Sequence, residues 1–396
     1  MMNKRNGPVR IMDLRGTYKG GGGPDKTILL SAAMHDRERV DVLVTYLRDP
    51  SDKQFEISER AKRLNINYID VPDRRLVDFT CIRQLNRILN EYDHEIIHAH
   101  DDKSSLYSLF LKALNPRVKV MYTCHLYSKY RRVDFKSLVH YLEFQVRKST
   151  RLFCIRRSNK PILAVSEAVR RVLINEGISP RDIITIQNGI DTKIWHRDKG
   201  TPILKKELGI PDEAILIGTV ARIAFQKDLP TFYKVANMVR EKYPQSWFVI
   251  VGDGEGDELE RAKRQALDSG VENFVFFTGH RNDLLDIYAS FDLFLMTSVS
   301  EGLPNTVLEA MAMQVPVIST AVDGVPELVL HGETGYLSEM KDVRGLADSI
   351  GKLIHDKELR YKFAKAAELR VMNHFSFQNR VVKMEELYRT FAWKPR

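Results

Sequence analysis

The chain is poor in the features that mark several protein classes. Cysteine is scarce: Cys81, Cys124 and Cys154 are odd in number and scattered. That excludes a disulfide framework and leads us to expect a reducing, cytoplasmic setting. No apolar run approaches the roughly 20 residues of a membrane span. The basic start, MMNKRNGPVRIMDL, passes into a short strand without the apolar core of a signal peptide. No Asp-x-Asp triplet occurs, so no carboxylate pair of that spacing is available to hold a divalent ion. Low-complexity segments and short-period repeats are also missing. Negative charge is in deficit, with 52 Asp and Glu against 61 Lys and Arg, a net charge of +9. This balance favours an anionic partner such as nucleic acid, anionic lipid or a phosphorylated ligand. No recognised nucleic-acid-binding module is present, so nucleic acid is not the expected partner.

What remains is an ordinary globular composition, 43% hydrophobic and 29% charged over 396 residues, long enough for two or three domains with sizeable cores. Short β-rich runs at residues 9–14, 40–46, 68–71, 95–99, 118–122, 162–165 and 183–186 alternate with helical patterns, among them 26–35, 82–91, 104–113 and 167–175. The rhythm then restarts with strands at 215–220, 247–251, 274–277, 293–296 and 315–319. Between the series lie Asn188-Gly189-Ile190-Asp191 and a polar stretch to Pro211, read as a linker. Alternation of this kind predicts two parallel, doubly wound α/β domains.

Residues 298–329, SVSEGLPNTVLEAMAMQVPVISTAVDGVPELV, carry the most information. Glu301 opens a Gly-Leu-Pro-Asn turn, a helical run follows, and Glu309 stands eight positions on. Pro304 is suited to the first position of a helix, where its missing N–H costs nothing. The free amides and positive dipole end of that helix suit a phosphate. Ionised carboxylates on either side suit sugar hydroxyls, because they only accept hydrogen bonds. The combination asks for a ligand with phosphate and polyol parts.

This stretch resembles the signature of the retaining glycosyltransferases of family four, with its Glu, seven residues, Glu element. Ser300-Glu301-Gly302-Leu303-Pro304, Leu308-Glu309-Ala310-Met311-Ala312, Val315-Pro316-Val317-Ile318 and Gly324-Val325-Pro326-Glu327 fall in family order. Looser matches extend over nearly the whole chain, including Ile97-His98-Ala99-His100-Asp101, Ala164-Val165-Ser166 and Asn188-Gly189-Ile190-Asp191, where Gln187 stands in place of a usual proline. The resemblance implies a GT-B fold, two Rossmann-like domains facing across a cleft. It places an acceptor-binding domain at 1–190, a nucleotide-sugar domain at 191–374 and a helix at 375–396 that crosses back to the first domain. Bacterial surface-polysaccharide assembly is the expected setting.

Site residues follow from the resemblance together with strand context. Arg222 and Lys227 lie just past the strand 215–220, where loop residues of an open α/β sheet face the ligand crevice. An Arg fork and a Lys point charge match a diphosphate. The resemblance implies that Glu301 holds donor-sugar hydroxyls, Glu309 holds the nucleotide ribose, and His125 contacts the donor sugar. It adds Gly22, Gly23, Gly252, Gly254, His280, Arg281, Gly302, Leu303, Pro304 and Asn305 as donor-binding positions. The amides of residues 303–305 would assist Arg222 and Lys227 in balancing the leaving diphosphate, with no cofactor and no metal. The expected partners are a nucleotide sugar and a glycan or lipid-linked acceptor.

Three motifs imitate those of other families, although the resemblance implies that the two glycine-rich ones line the donor cleft. Lys19-Gly20-Gly21-Gly22-Gly23-Pro24-Asp25-Lys26-Thr27 approaches a phosphate-binding P-loop but carries Asp25 where that motif needs Gly, and an acidic side chain there would repel phosphate. Gly252-Asp253-Gly254-Glu255-Gly256 places its third glycine one position early for a dinucleotide fingerprint. His98-Ala99-His100-Asp101-Asp102 resembles the start of a dinuclear zinc motif, but Lys103 occupies the position of the next His. A hydrolytic reading of Glu301 and Glu309 is disfavoured: if they bracket a helix, eight residues span roughly 12 Å, beyond the about 5–9.5 Å of a glycosidase pair, unless the turn folds Glu301 back. A nucleotide-sugar 2-epimerase is the isomerase alternative. Finally, Arg131, Arg132, Lys136, Arg147, Lys148, Arg151, Arg156 and Arg157 are interleaved with apolar residues. This stretch is either a solvated helix face or a surface for anionic lipid.

Overall fold

A computed structural model of the chain describes residues 7–17, 21–53, 55–74, 76–125, 138–254 and 256–393. It divides into two compact units, Met1–Gln187 with Gln378–Arg396, and Asn188–Phe377.

In chain order the first unit runs β1 (Val9–Gly16), α1 (Gly23–Met34), β2 (Val40–Arg48), α2 (Ile57–Arg63), β3 (Tyr68–Pro72), α3 (Phe79–Glu91) and β4 (Ile96–Ala99). It continues through α4 (Asp102–Leu114), β5 (Lys119–Cys124), α5 (Leu138–Arg157), β6 (Ile162–Ala164), α6 (Glu167–Asn175) and β7 (Ile183–Thr185). The sheet order is β3-β2-β1-β4-β5-β6-β7, every pairing being parallel. Successive side chains of β1 go to opposite faces, as strand geometry requires. Ile11 joins one core with Tyr46, Ile28 and Ile57, and Met12 joins the other with Leu85, Ile97 and Tyr107. In α3, Cys81, Ile82, Leu85, Ile88 and Leu89 repeat at helical spacing and are buried. Asp78 caps that helix by accepting from the amides of Thr80 and Cys81.

The second unit contains α7 (Leu204–Glu207), β8 (Ile215–Val220), α8 (Leu229–Lys242), β9 (Ser246–Val251), α9 (Glu258–Asp268), β10 (Val275–Gly279), α10 (Leu284–Ser290) and β11 (Leu293–Met296). It closes with α11 (Asn305–Ala312), β12 (Val317–Thr320), α12 (Val325–Leu328), β13 (Gly335–Ser338), α13 (Val343–His355) and α14 (Lys357–His374). Its parallel sheet has the order β10-β9-β8-β11-β12-β13. Both sheets therefore reverse their winding beside their first strand, between β1 and β4 and between β8 and β11. Ligands of such sheets bind outside the carboxyl ends of the strands at that reversal.

The last helix, α15 (Phe377–Trp393), belongs almost entirely to the first unit. Its Met384, Tyr388 and Phe391 enter the core with Ile11 and Ile28. The Lys119 ammonium donates to the carbonyls of Phe391 at 2.8 Å and Ala392 at 3.1 Å. Glu385 accepts from Arg39 at 2.8 Å and from the Asp36 amide at 2.8 Å.

Several local expectations need correction. Residues 188–211 are not a loose linker: Ser290 at the end of α10 accepts from the amides of Ile203 and Leu204 at 2.9 and 3.1 Å, and Asp286 accepts from Thr201 at 2.8 Å. The strand expected at 315–319 begins two residues later, because Val315 closes the turn after α11 through its bond to Ala310. β13 escaped notice, being only four residues, GYLS, with one residue fully buried.

Candidate active site

In the second unit, the loop after β8 and the loop after β11 meet at the reversal and are bonded to each other. The Val299 amide donates to Gln226 at 2.8 Å. Thr297 Oγ1 donates to the carbonyls of Lys227 and Asp228 at 2.9 and 3.2 Å, and Thr320 Oγ1 to that of Ser298 at 2.6 Å. A small recess there is lined by Thr219, Lys227, Met296 and Ser298 among others. Lys227 Nζ donates to Glu301 Oε1 at 2.6 Å, and Ser298 Oγ to the same oxygen at 2.7 Å. The two charged side chains are only 17% and 12% exposed. Lys227 and Glu301, expected to serve different parts of a ligand, thus hold each other. Asp323 fixes the other side of Glu301, accepting from its amide and from Ser300 Oγ, both at 2.9 Å. Arg222 lies exposed just beyond β8.

The turn that follows is largely turned inward: Gly302, Leu303 and Pro304 are buried. Pro304 is the extended cap of α11, with φ −71° and ψ 118°, rather than its first helical residue. As a proline it offers no amide, so the expected anion-binding set of 303–305 reduces to the N–H groups of Leu303 and Asn305. Asn188 Nδ2 holds the Leu303 carbonyl at 3.0 Å. Glu301 precedes α11 by several residues, so it and Glu309 do not bracket a helix. Glu309 is 2% exposed and accepts from the Tyr288 hydroxyl at 2.9 Å. Burial and this carboxylate hold the Tyr288 phenol well above its ordinary pKa.

The glycines after β9 have a packing cause. The Gly252 amide donates to Gly279 at 2.8 Å and the Ile223 amide to Asp253 at 2.8 Å, tying together the loops after β8, β9 and β10. Gly252 has φ +139°, and a Cβ there would sit 1.9 Å from the Ala221 carbonyl oxygen. At Gly254 a Cβ would lie 2.5 Å from that of Glu258. Glu255 lies outside the described residues. His280 is exposed. Arg281, expected among the donor-binding residues, is instead engaged by two carboxylates, Asp283 at 2.8 Å and Glu207 at 2.9 Å.

In the first unit the strand ends gather a different set of groups. Asp25, placed in the third position of α1, is fully buried. It accepts from Arg15 Nε at 2.7 Å, the Tyr46 hydroxyl at 2.8 Å, the Gly22 amide at 2.6 Å and Thr17 Oγ1 at 3.2 Å. Burial pushes its pKa up, but Arg15 and these donors hold it below the ordinary value. Asp25 therefore faces inward and organises the loop, correcting the expectation that it would repel phosphate. Gly22 caps α1 and Gly23 opens it. Lys19 and Gly20 lie outside the described residues.

Asp13, His98 and His100 are buried together, close enough to hold an ion by geometry alone. Each imidazole nitrogen, however, already faces a protein group. His98 Nε2 meets Thr123 Oγ1 at 2.6 Å, and its Nδ1 meets the Tyr388 hydroxyl at 2.6 Å and Asp13 at 3.2 Å. His100 Nε2 meets Asp13 at 3.1 Å and its Nδ1 meets His125 Nε2 at 3.0 Å. The donor set fits a hydrogen-bonded network rather than a metal. Lys103 turns away to pair with Asp73. Nothing in the sequence linked Asp13 or Tyr388 to this cluster; only the topology of β1, β4 and α15 brings them there.

Of the basic stretch, Arg131, Arg132 and Lys136 lie outside the described residues. Three others are engaged within the protein: Arg151 donates to Asp102 at 2.5 and 2.9 Å, Lys148 pairs with Glu176 at 2.6 Å, and Arg156 donates to the Glu176 carbonyl at 3.0 Å. Arg147, Arg156 and Arg157 are exposed. So are Leu142, Val146 and Phe153 of α5, at 54%, 66% and 51%, and their spacing places them on one helix face. Among the described residues no helix is long and apolar enough to cross a membrane.

Paired charges, a carboxylate on a helix and parallel strand ends gather at the β8/β11 reversal, and comparison with known proteins gives the class. Residues 21–194 match the family described as Glycosyltransferase Family 4, and residues 201–370 that described as Glycosyl transferases group 1. The chain belongs to the family-four glycosyltransferases and is a transferase. It is 27% identical over 318 residues to the UDP-Gal:alpha-D-GlcNAc-diphosphoundecaprenol alpha-1,3-galactosyltransferase of Escherichia coli, covering 78% of this chain and 79% of that one. It is 35% identical over 234 residues to the N-acetyl-alpha-D-glucosaminyl L-malate synthase of Bacillus anthracis, covering 57% and 59%. Among solved structures, Anabaena HepE in complex with UDP-glucose superposes with a TM-score of 0.81 at 22% identity, over 96% of this chain and 100% of that one. This likeness shows the GT-B fold. The isomerase alternative gains no support from these relatives.

Proposed function

We propose that the protein transfers a hexosyl or N-acetylhexosaminyl group from a nucleotide-diphosphate sugar to a hydroxyl of a lipid-linked glycan, with retention of configuration and without a metal. The observation that carries this reading is the Lys227–Glu301–Ser298 cluster at the β8/β11 reversal, immediately before the amino end of α11. A diphosphate arriving there competes with Glu301 for Lys227, and the released carboxylate becomes an acceptor for sugar hydroxyls. Arg222, Lys227 and the helix dipole would balance the charge that grows on the leaving diphosphate. The bond from the anomeric carbon to the diphosphate breaks as the acceptor oxygen attacks from the same face. The acceptor's proton passes to the departing phosphate oxygen. The lipid-linked acceptor is supported by the Escherichia coli relative, whose name specifies a diphosphoundecaprenol substrate. It is supported also by the exposed Leu142, Val146 and Phe153 of α5 with Arg156 and Arg157 beside them, a composition suited to a peripheral, anionic membrane surface. Polysaccharide assembly is the setting that fits.

One assay tests the reading: nucleotide release from UDP-, GDP- and ADP-sugars in excess EDTA, with and without undecaprenyl-diphosphate-linked N-acetylglucosamine. We expect release that depends on the lipid-linked acceptor and survives chelation. Complete loss in EDTA, restored by Mg²⁺ or Mn²⁺, removes the metal-free mechanism, and release indifferent to every glycan acceptor removes the transfer to lipid.

A further inference from the structure

His125 stands just past β5 at the end of a line of polar side chains whose proton positions are determined in sequence. The line begins at Asp13 in β1, passes through His100 just beyond β4 at 3.1 Å, and reaches His125 at 3.0 Å. Asp13 is pushed up by burial, yet hydrogen bonds from His100 and His98 hold it well below the usual carboxylate range. It is ionised and can only accept. Burial, then the neighbouring His98, lowers His100 to about 3. Burial, then His100 and Arg15, holds His125 well below the ordinary imidazole value. Both rings are neutral at pH 7, and a neutral imidazole has one N–H and one bare nitrogen.

The rest is forced. His100 must direct its N–H from Nε2 to Asp13, which leaves its Nδ1 bare. His125 must then donate from Nε2 to that nitrogen, which leaves its own Nδ1 bare. This last atom is shielded from solvent and has no hydrogen-bond partner among the described residues, although the ring as a whole is partly exposed. An orphaned acceptor is an unfavourable arrangement that a donor can relieve.

We infer that Asp13 and His100 are positioning residues that lock the proton of His125 on Nε2, so that Nδ1 accepts a hydrogen bond from a sugar hydroxyl. A hydroxyl can donate or accept; facing a bare nitrogen it must donate, which fixes how the sugar is turned. The inference rests on the sugar-transfer reading for its ligand but not for its tautomer.

The test is a long-range ¹H–¹⁵N correlation spectrum of the full chain labelled with ¹⁵N-histidine. In the ligand-free wild type at pH 7 we expect His125 protonated on Nε2 alone; a proton on Nδ1 overturns the proposal. In Asp13→Asn the amide can donate toward His100, and the line should reverse, moving the His125 proton to Nδ1. A variant that folds and keeps the wild-type tautomer overturns the role of Asp13, and the wild-type spectrum still decides the tautomer if that variant does not fold. UDP, then UDP-glucose, UDP-galactose and UDP-N-acetylglucosamine, then methyl α-D-N-acetylglucosaminide are added to the wild type. Movement of the Nδ1 resonance with a nucleotide sugar but not with UDP assigns the hydroxyl to the donor. Movement with the glycoside assigns it to the acceptor, and no movement with any sugar overturns the contact. A correct tautomer without nucleotide-sugar turnover indicts the sugar-transfer reading instead, and a wrong tautomer with turnover intact indicts the relay.

Discussion

The reversal points of the two sheets share a strand order and spend their charges differently. At the β1/β4 reversal Asp25 is wholly buried against an Arg15 that is 14% exposed, and the remaining groups form a neutral imidazole line grounded on Asp13. At the β8/β11 reversal the ion pair is looser in its surroundings: Lys227 and Glu301 both keep some exposure, and Arg222 is open to solvent. A pair whose carboxylate is wholly desolvated cannot exchange partners without a large desolvation cost. A partly solvated one can. On the function proposed above, the first site holds a shape and the second trades a carboxylate for a diphosphate.

Removing one member of each pair should break the comparison if it is wrong. Asp25→Ala strands a buried guanidinium and should cost about 3–5 kcal/mol of stability. Lys227→Ala should cost clearly less, both read by urea denaturation. Equal losses would mean that the two pairs do the same job. Turnover should rank the other way. Lys227→Ala or Arg222→Ala removes a charge-assisted contact worth about 1.5–3 kcal/mol at a developing diphosphate charge, a roughly ten- to hundred-fold fall in nucleotide release. Near-normal rates in both folded variants would leave the second site without its role.

Smaller effects sharpen the picture. Glu309→Gln should weaken nucleoside diphosphate binding by about 1 kcal/mol, since an amide accepts more weakly than a carboxylate. Glu301→Gln should leave that affinity intact or raise it, because it frees Lys227. Calorimetric titration of both variants decides, and equal weakening would contradict the partner exchange. Last, each of Arg147, Arg156 and Arg157 should contribute up to about 1 kcal/mol to docking on anionic vesicles. Cosedimentation at low salt should fall with each change to Gln; indifference to vesicle charge would return α5 to a solvated face.

The alternation of strands and helices was legible in the sequence because parallel strands buried on both sides read as short apolar runs, such as residues 215–220 and 293–296, which match β8 and β11 residue for residue. The signature region was legible for the same reason that it is compact: Glu301, Pro304 and Glu309 lie within one loop and helix. What could not be read were pairings across the sheet. Lys227 and Glu301 are 74 positions apart, and Asp13 and His100 are 87 apart, so no periodicity links them. Asp25 was misread because its surroundings, Arg15 and Tyr46, come from neighbouring strands. Tyr288 carries no local signal at all, and the motifs that contain Asn188 and Asp323 do not show that these side chains steady the second site.

The docking of α15 bears on the order in which the molecule can be finished. The second unit is one uninterrupted stretch, whereas the first needs residues 378–393 to close its core around Met384, Tyr388 and Phe391. Domains tend to fold as they leave the ribosome, amino end first. Here the portion synthesised first must wait, with the surface around Ile11, Ile28 and Lys119 uncovered, while nearly two hundred further residues emerge and fold. The half that begins the chain is the half completed last.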